Sequence, residues 1–311
     1  MPFALGGNSR IRTNIPAENA YNSLEVTNRG ISLGQLRLST GKRINSASDD
    51  VAGYITSRAL QARNGVLKAS INAVGDAMNV TNILQDALSN INDLITNMKD
   101  SAASAASGAQ GTDEKVALGK AAYRMAQQIQ TVVDSTVFGG KQLLAGGYSA
   151  DFYIGSNSTH NLITLSLDMT PSNIDFNVAS NNFDSNSLIS GNFAGVTGLD
   201  LQALNSVSQS NLGIFGTTQI STTLYSLAEA LNNVNKVAAY LGGIENRLQS
   251  QEDSLKSQIT NYNAAISRLE DADVAQEQLN LVKNQFLQQT SLTSLAQANQ
   301  NPQSYLKLIN G

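Results

Sequence analysis

Two acidic pairs are the residues of this sequence that could carry out acid–base chemistry. Asp49 and Asp50 are adjacent, whereas Asp271 and Asp273 lie near the other end of the 311-residue chain. Paired carboxylates can act as general acid and base in the hydrolysis of sugars. Trp, which would form a platform for a sugar, is absent, and the only histidine is His160, in a polar, turn-like stretch. The sequence therefore favours a structural role for both pairs, and we expect no catalytic residue and no enzymatic activity.

Helix capping is the structural role that fits these carboxylates. Asn45, Ser46 and Ser48 are good N-cap residues. Asp49 and Asp50 would then lie in a first helical turn, where the helix dipole favours negative charge. The second acidic pair is predicted to play the same part after a helix break near residue 270.

Composition excludes several other kinds of site. Cysteine is absent, so the chain has no disulfide, no thiolate metal site and no cysteine nucleophile. We predict no metal site and no cofactor. The net charge of −4 comes without a basic domain, which argues against nucleic acid as a partner. No run approaches the roughly 18 consecutive apolar residues of a membrane span.

The two ends of the chain carry opposite charge. Residues 1–45 have six basic and two acidic side chains, a net charge of +4. Residues 269–311 have four acidic and two basic side chains, a net charge of −2. The pattern fits either two solvated helix faces or direct pairing between the ends.

The longest periodic pattern lies between residues 224 and 269. Apolar residues or Tyr alternate there in steps of three and four, with Glu245 and Glu252 as the exceptions. Such a repeat forms one narrow seam along a helix, which would be about 70 Å long at ~1.5 Å per residue. The seam keeps its register across Gly242 and Gly243, so we predict one continuous helix with a long partner beside it.

The partner is predicted in the N-terminal half. Apolar residues step by three and four over residues 67–78 and, after a slip of one residue, over 84–98. A second helix is predicted from about residue 113 to 131. Its apolar face would use Val116, Ala117, Met125 and Ile129.

Between the helical halves the pattern changes. Ile163, Leu165 and Leu167 alternate with polar residues, which predicts a β-hairpin over 145–170 with one buried face. Residues 171–217 are rich in Asn, Ser and Gly, and we expect an irregular surface insertion that a short linker could replace. The predicted fold class is mainly α: long antiparallel coiled-coil helices with a β-hairpin, a small irregular outer insertion, and paired N- and C-termini.

The terminal segments are amphipathic but narrow. One is marked by Ile31, Leu33, Leu36 and Leu38, and the other by Leu279, Val282, Phe286, Leu287, Leu292 and Leu295. Isolated helices of this kind bury little apolar surface, so they should be poorly ordered until a partner covers them. We expect the N-terminal segment and neighbouring copies of the chain to cover Phe286, Leu292 and Leu295.

Four long motifs resemble those of bacterial flagellins. Residues 36–53 (LRLSTGKRINSASDDVAG) are similar to the family's N-terminal signature, and residues 136–144 (TVFGGKQLL) to the segment before its hairpin. Residues 267–275 (SRLEDADVA) resemble its C-terminal junction, and residues 295–303 (LAQANQNPQ) its C-terminal tail. The motifs come in the expected order, and only about 145–217 lies outside them. Gly41, within the first motif, can permit a break between two helices.

The resemblance implies a structural subunit of the extracellular flagellar filament that serves motility. Such a subunit is exported unfolded through the flagellar secretion channel, without a cleaved signal peptide, and assembles at the tip. Its implied partners are other flagellin subunits, an export chaperone, hook-associated junction proteins and the filament cap. A hook–filament junction protein of the same superfamily is the near alternative, although the intact tail motif favours the filament subunit. A cytoplasmic coiled-coil adaptor is supported only by the generic repeat.

The resemblance also divides the chain by role. Segments 1–45 and 270–311 would form an inner tube, segments 46–144 and 218–269 a helical rod with the hairpin 145–170, and 171–217 a variable outer insertion. Assembly contacts are expected at Leu33, Leu36, Leu38, Arg43, Ile44, Asn45, Asp49, Asp50, Phe286, Leu292, Leu295, Gln297 and Asn299. Asn157 begins an Asn-Ser-Thr sequence that could accept a glycan.

Overall fold

The computed structural model describes residues 13–156, 162–178, 183–184 and 192–310, with the backbone alone for 156, 162, 192 and 301–310. His160 and Asn157 lie outside the described residues. The described helices are α1 (Ile15–Thr40), α2 (Val51–Ala106), α3 (Thr112–Ser135), α4 (Ile220–Glu270) and α5 (Val274–Asn310). Long helices dominate, as the predicted fold class requires.

The chain forms two compact units. Unit one consists of Met1–Gly65 and Thr260–Gly311, and unit two of Val66–Ile259. The boundary therefore falls inside α2 and inside α4.

In unit two, α4 confirms the long periodic helix and refines its seam. Leu227, Val234, Leu241, Leu248 and Leu255 recur every seven residues and are almost fully buried. Between them the buried hydrophobic positions are Ala230, Val237 and Ile244, one residue before the predicted ones. The predicted exceptions have polar partners instead: Glu245 accepts a hydrogen bond from Gln85, and Glu252 pairs with Lys256. The helix passes through Gly242 and Gly243 without a break.

The antiparallel partner of α4 is α2. Gln85 Nε2 donates to Glu245 Oε2 at 2.8 Å, and Asn92 Nδ2 donates to Asn235 Oδ1 at 2.5 Å. The order of these contacts along the two helices requires opposite chain directions. Where the predicted apolar pattern slips by one residue, between 78 and 84, the burial of α2 is continued by Ala77, Val80 and Thr81.

α3 is longer than predicted, and of the predicted apolar face Ile129 is buried while Val116 and Met125 are partly buried against the core. Gly119, Ala122, Ala126, Ile129 and Val133 are buried at helical spacing. Ala117 is exposed, so its predicted place on the apolar face is wrong. A helix turns by about 100° per residue, which places residue 117 away from the face through 119, 122 and 126.

Among the described residues of unit two there are also three two-stranded antiparallel hairpins. They are β1 (Val137–Phe138) with β2 (Lys141–Gln142), β3 (Ser149–Ser156) with β4 (Leu162–Asp168), and β5 (Asn192–Phe193) with β6 (Val196–Thr197). Leu165 and Leu167 are buried as predicted, but Ile163 is 45% exposed. Ile163 pairs with Gly155, where a bulge shifts the register of β3 against β4.

The insertion at 171–217 is irregular in backbone but belongs to the core of unit two. It contains 3₁₀ turns at Ile174–Phe176, Gln202–Ser206 and Gly213–Phe215. The Phe176 ring lies 5.2 Å from the ring of Tyr240 on α4, edge to face. Asn233 of α4, almost fully buried, donates to the Ala194 carbonyl oxygen at 2.9 Å. The described part of the segment is therefore packed against α4 and is not a loose surface loop.

Across the described part of the chain, we find no helix with both the length and the apolarity that a membrane span requires.

Candidate assembly interface

The terminal helices α1 and α5 pair with each other within unit one. Asn14 Nδ2 donates to the Ala298 carbonyl oxygen at 2.8 Å, and Gln288 Nε2 donates to Asn28 Oδ1 at 2.7 Å. Arg37, in the last turn of α1, forms an ion pair of 3.0 Å with Glu277, in the first turn of α5. The two helices are therefore antiparallel, and the predicted pairing of the termini is confirmed.

Small side chains line the contact between α1 and α5. Ala20, Thr27 and Gly34 are the buried residues of α1, and they recur every seven residues. A Cβ added at Gly34 would lie 3.7 Å from the Leu281 side chain, and one at Gly30 would lie 2.7 Å from Asn284 Nδ2. The helices approach closely because these residues lack bulk. The seven-residue spacing of small residues at 20, 27 and 34 is the sequence signal that predicts this contact, and apolar periodicity alone does not include it.

Many large apolar side chains of both helices face away from this contact, although Leu281 of α5 lies against Gly34. α1 exposes Ile15, Tyr21, Val26, Leu33 and Leu36, and α5 exposes Val274, Leu279, Val282, Phe286, Leu287 and Leu292. Phe286 is 67% exposed. Leu38 and Leu295 are half-buried, and Gln297 and Asn299 are exposed. Within the single chain, α1 does not cover Phe286 or Leu292, because it contacts the face of α5 that carries Leu281 and Asn284.

One stripe on α5 lies directly opposite α1. Leu279, Val282 and Phe286 follow one another in steps of three and four residues, so they share a face. At about 100° per residue this face points roughly 180° from the face of Leu281 and Asn284 that meets α1. The single chain leaves the whole stripe in solvent.

Few of the described hydrophobic residues of unit one are buried. Among its described residues, the buried hydrophobic ones are Ala20, Ile44 and Ala298. The other buried hydrophobic residues of the described chain form one cluster within unit two. Unit one thus exposes large apolar residues and buries mainly small ones, the reverse of a stable globular core.

The connections next to the terminal helices meet in a short antiparallel bridge. α1 ends at Gly41, which adopts φ +70°, a left-handed conformation that glycine tolerates best. Lys42 then pairs with Asp271 in an isolated β-bridge. The Arg43 amide donates to the Glu270 carbonyl oxygen at 2.6 Å, and the Ala272 amide donates to the Gly41 carbonyl oxygen at 2.9 Å. The predicted breaks at Gly41 and near residue 270 thus lie side by side.

The acidic pairs cap helices, but not as predicted at the first site. α2 begins at Val51, so Asp50 is its N-cap and accepts from the Gly53 amide at 2.9 Å. Asp49 caps the preceding turn and accepts from the Asn45 and Ser46 amides. Hydrogen bonds from these two amides hold the Asp49 pKa below its usual value. The predicted caps at Asn45, Ser46 and Ser48 are therefore wrong, because these residues precede the helix by several positions.

At the second site the prediction holds more closely. Asp273 is the N-cap of α5 and accepts from the Ala275 and Gln276 amides at 3.0 and 3.2 Å. Asp271 accepts from the Ser267 hydroxyl at 2.6 Å. Among the described residues, no three His, Cys, Asp or Glu side chains converge as metal ligands would.

The remaining predicted site residues surround the bridge. The Arg43 guanidinium donates to the Leu269 carbonyl oxygen at 2.9 Å and lies 3.6 Å from Asp50. Ile44 is buried, and Asn45 Nδ2 donates to the Lys42 carbonyl oxygen at 3.0 Å. Opposite charges on the two ends therefore do meet, at Arg37 with Glu277 and around this bridge.

Comparison with known proteins gives consistent similarities along the chain. Residues 11–149 match the bacterial flagellin N-terminal helical region, and residues 224–309 match the bacterial flagellin C-terminal helical region. A flagellin of Bacillus subtilis (strain 168) is 30% identical over 314 residues, covering 96% of this chain and 99% of the relative. A flagellin of Halalkalibacterium halodurans is 28% identical over 301 residues, with 96% and 99% coverage.

A solved structure shares the fold. It is described as a flagellar hook-associated protein from Vibrio parahaemolyticus, with a TM-score of 0.54 at 15% identity. The similarity covers 72% of this chain and all of the other. At that identity the likeness concerns the fold alone.

Proposed function

The chain belongs to the bacterial flagellin family and is a structural subunit of the flagellar filament, and we propose that the exposed stripes of α1 and α5 are its polymerisation surfaces. The family is structural and non-enzymatic. The filament, built with other flagellin subunits, is extracellular. We propose further that this chain has no catalytic activity of its own.

The observation that carries the proposal is the inverted distribution of apolar residues in unit one. Burying a Leu or Phe side chain stabilises a structure by about 1.5–3 kcal/mol. In unit one that stabilisation is unused at Phe286, Leu279, Val282 and their neighbours, because the single chain leaves them in water. A second copy of the chain can cover these stripes, and each added subunit would repeat the same gain.

The predicted assembly residues fit this proposal in two groups. Leu33, Leu36, Phe286 and Leu292 are exposed and would contact neighbouring subunits. Arg43, Ile44, Asn45, Asp49 and Asp50 lie at the bridge and its caps, and would shape the subunit rather than touch its neighbours. Leu38 and Leu295 are half-buried and Gln297 and Asn299 are exposed, and all four are proposed as secondary contacts.

The predicted division of roles extends the proposal. Segments 1–45 and 270–311 would line the inner tube, 46–144 and 218–269 with the hairpin 145–170 would form the rod, and 171–217 would face the medium. Export in an unfolded state and assembly at the tip are compatible with a unit one that has almost no core. An export chaperone, hook-associated junction proteins and the filament cap are the proposed further partners.

Seeded polymerisation tests the proposal directly. Phe286→Ser should raise the critical concentration for assembly by about tenfold or more. Burial of most of the Phe286 ring at a subunit contact would stabilise that contact by more than about 1.4 kcal/mol, and the variant loses this stabilisation. Tyr225→Ser is the matched control, because Tyr225 is 71% exposed on α4 of unit two. Sedimentation of polymer across a concentration series measures both variants.

Two outcomes would contradict the proposal. Equal critical concentrations for the two variants would show that the stripe on α5 is not a subunit contact. Short stubs instead of long filaments from the unaltered chain would favour the hook–filament junction role.

A further inference from the structure

Glu270, the last residue of α4, is a buried carboxylate in a unit whose described residues include few buried hydrophobic ones. It is 4% exposed. Charged side chains are rarely buried to this extent unless they are paired. Its surroundings therefore indicate what holds the charge in place.

Side chains from two other segments hold the Glu270 carboxylate. Lys42 Nζ lies 3.1 Å from Oε2, and Gln61 Nε2 donates to Oε1 at 2.7 Å. Arg58 donates to Gln61 Oε1 at 3.1 Å, which orients the amide so that its NH₂ group faces Glu270. The fully buried Ser57 hydroxyl also lies beside the carboxylate.

The backbone of Glu270 takes part in the bridge that joins the two connections. Its carbonyl oxygen accepts from the Arg43 amide, and Lys42, which holds its side chain, pairs with Asp271 in the same bridge. The connection from α1 to α2 and the connection from α4 to α5 are thus tied together at one residue. Both terminal helices extend from this point.

We propose that Glu270 is a positioning residue for filament assembly, an acid-sensitive ionic latch that fixes the bridge from which α1 and α5 extend. This inference rests on the proposed polymerisation through those helices. Assembly needs the two helices to present their stripes in one geometry, and the latch reduces the freedom of both connections at once. Opening it leaves the stripes intact but no longer oriented.

The pH dependence follows from the charges around Glu270. Burial disfavours ionisation, but hydrogen bonding by Ser57 and Lys42 and the charges of Lys42 and Arg58 outweigh burial and hold the Glu270 pKa below 4.5. A carboxyl whose pKa is lowered by folding stabilises the fold fully above its unfolded value. The stabilisation is lost as the pH falls below about 4.5 and through the folded pKa.

The other charged groups at this place have separate partners. Arg43 contacts Asp50 and the Leu269 carbonyl oxygen, and Asp271 accepts from the Ser267 hydroxyl. Asp273 caps α5. The acid sensitivity assigned to the latch should therefore depend on Glu270 and Lys42.

The test compares seeded polymerisation of charge variants in the full chain. Lys42→Glu should raise the critical concentration at neutral pH by about tenfold or more, since the buried Glu270 carboxylate then lacks its cationic partner. Glu270→Gln should also raise the critical concentration, because it removes the ion pair with Lys42. The double exchange Lys42→Glu with Glu270→Lys should recover much of the loss. Glu252→Gln, which opens the more exposed Glu252–Lys256 pair, is the control and should change nothing.

Two further readouts separate a latch from a general folding defect. The critical concentration of the unaltered chain should rise as the pH falls below 4.5, and Glu270→Gln should flatten that rise. Amide hydrogen exchange in polymer should quicken at Arg43 and Ala272, while calorimetric melting of unit two stays constant. A Glu270→Gln variant with unaltered critical concentration and pH profile would overturn the latch, as would a failure of the double exchange to recover assembly. Failure of the unaltered chain to polymerise would count against the proposed function itself.

Discussion

Gly53 shows how a single residue supports the start of α2. A Cβ at this position would lie 2.5 Å from Asp50 Oδ2 and 2.7 Å from Ile44 Cδ1. Asp50 is the N-cap of α2, and Ile44 is one of the few buried hydrophobic residues of unit one. Only glycine lets the helix begin this close to both side chains.

Replacement of Gly53 by Ala should therefore destabilise α2, whereas the same replacement at Gly65 should stabilise it. Gly53→Ala must displace the capping carboxylate, and losing a cap costs about 1 kcal/mol. Gly65→Ala, in the same helix with nothing within 4 Å of the added Cβ, should instead stabilise the helix by about 1 kcal/mol. Hydrogen exchange of the first amides of α2 measures the difference, and equal protection in both variants would show that Asp50 and Ile44 shift without cost.

At the scale of elements, α1 and α5 each use one face to contact the other helix and leave the opposite face for the proposed contacts with other subunits. The α1 face with Ala20, Thr27 and Gly34 joins the helices, and the exposed large apolar residues of both helices are left for other contacts. Periodicity alone suggested the reverse, because apolar stripes usually mark the inner face of a helix. The exception arises because small side chains allow close backbone approach and gain contact without large apolar area.

The close approach can be tested by size at one position. Gly34→Ala should be tolerated, because its Cβ would make an ordinary contact of 3.7 Å with Leu281. Gly34→Leu should force the helices apart, since overpacking typically costs about 1–3 kcal/mol. In polymer of the Leu variant, amide hydrogen exchange along α1 should be faster. Unchanged protection in both variants would show that Gly34 does not lie in the contact between α1 and α5.

At the scale of the whole molecule, large buried hydrophobic residues are concentrated in unit two. Its core includes residues of the insertion, among them Phe176, Phe193 and Phe215, each about 1% exposed. The sequence-based expectation that a short linker could replace 171–217 overlooks this burial. Such a replacement would uncover Tyr240 and Asn233 on α4, so we now expect it to destabilise unit two.

Two substitutions in one 3₁₀ turn test the role of the insertion. Phe176→Ala should lower the stability of unit two by about 3–5 kcal/mol, the usual cost of emptying a buried aromatic site. Ile174→Ala, at a residue 72% exposed, should have little effect. Thermal melting of the monomer distinguishes them. Similar melting temperatures for both variants would show that segment 171–217 is a dispensable surface loop.

Local patterns were sufficient for the order and direction of the main elements. The repeat over 224–269 predicted α4, including its passage through Gly242 and Gly243, and Gly41 predicted the end of α1. Opposite charge at the two ends was compatible with pairing, and ion pairs such as Arg37–Glu277 show that pairing occurs. These features depend on periodicity, backbone conformation and net charge, which neighbouring residues carry by themselves.

Tertiary structure decided which face of each helix is used and how the connections are held. The start of α2 at Val51 depends on Asp50, which accepts a hydrogen bond from the Gly53 amide as the N-cap. The latch at Glu270 depends on Lys42 and Gln61, which are far away in sequence. The burial of the insertion likewise depends on the shape of α4 opposite it. The buried face of each helix and the contacts of each connection depend on the volume and polarity of side chains that distant segments bring together. The sequence pattern of one segment does not show how well its side chains fit those of another segment.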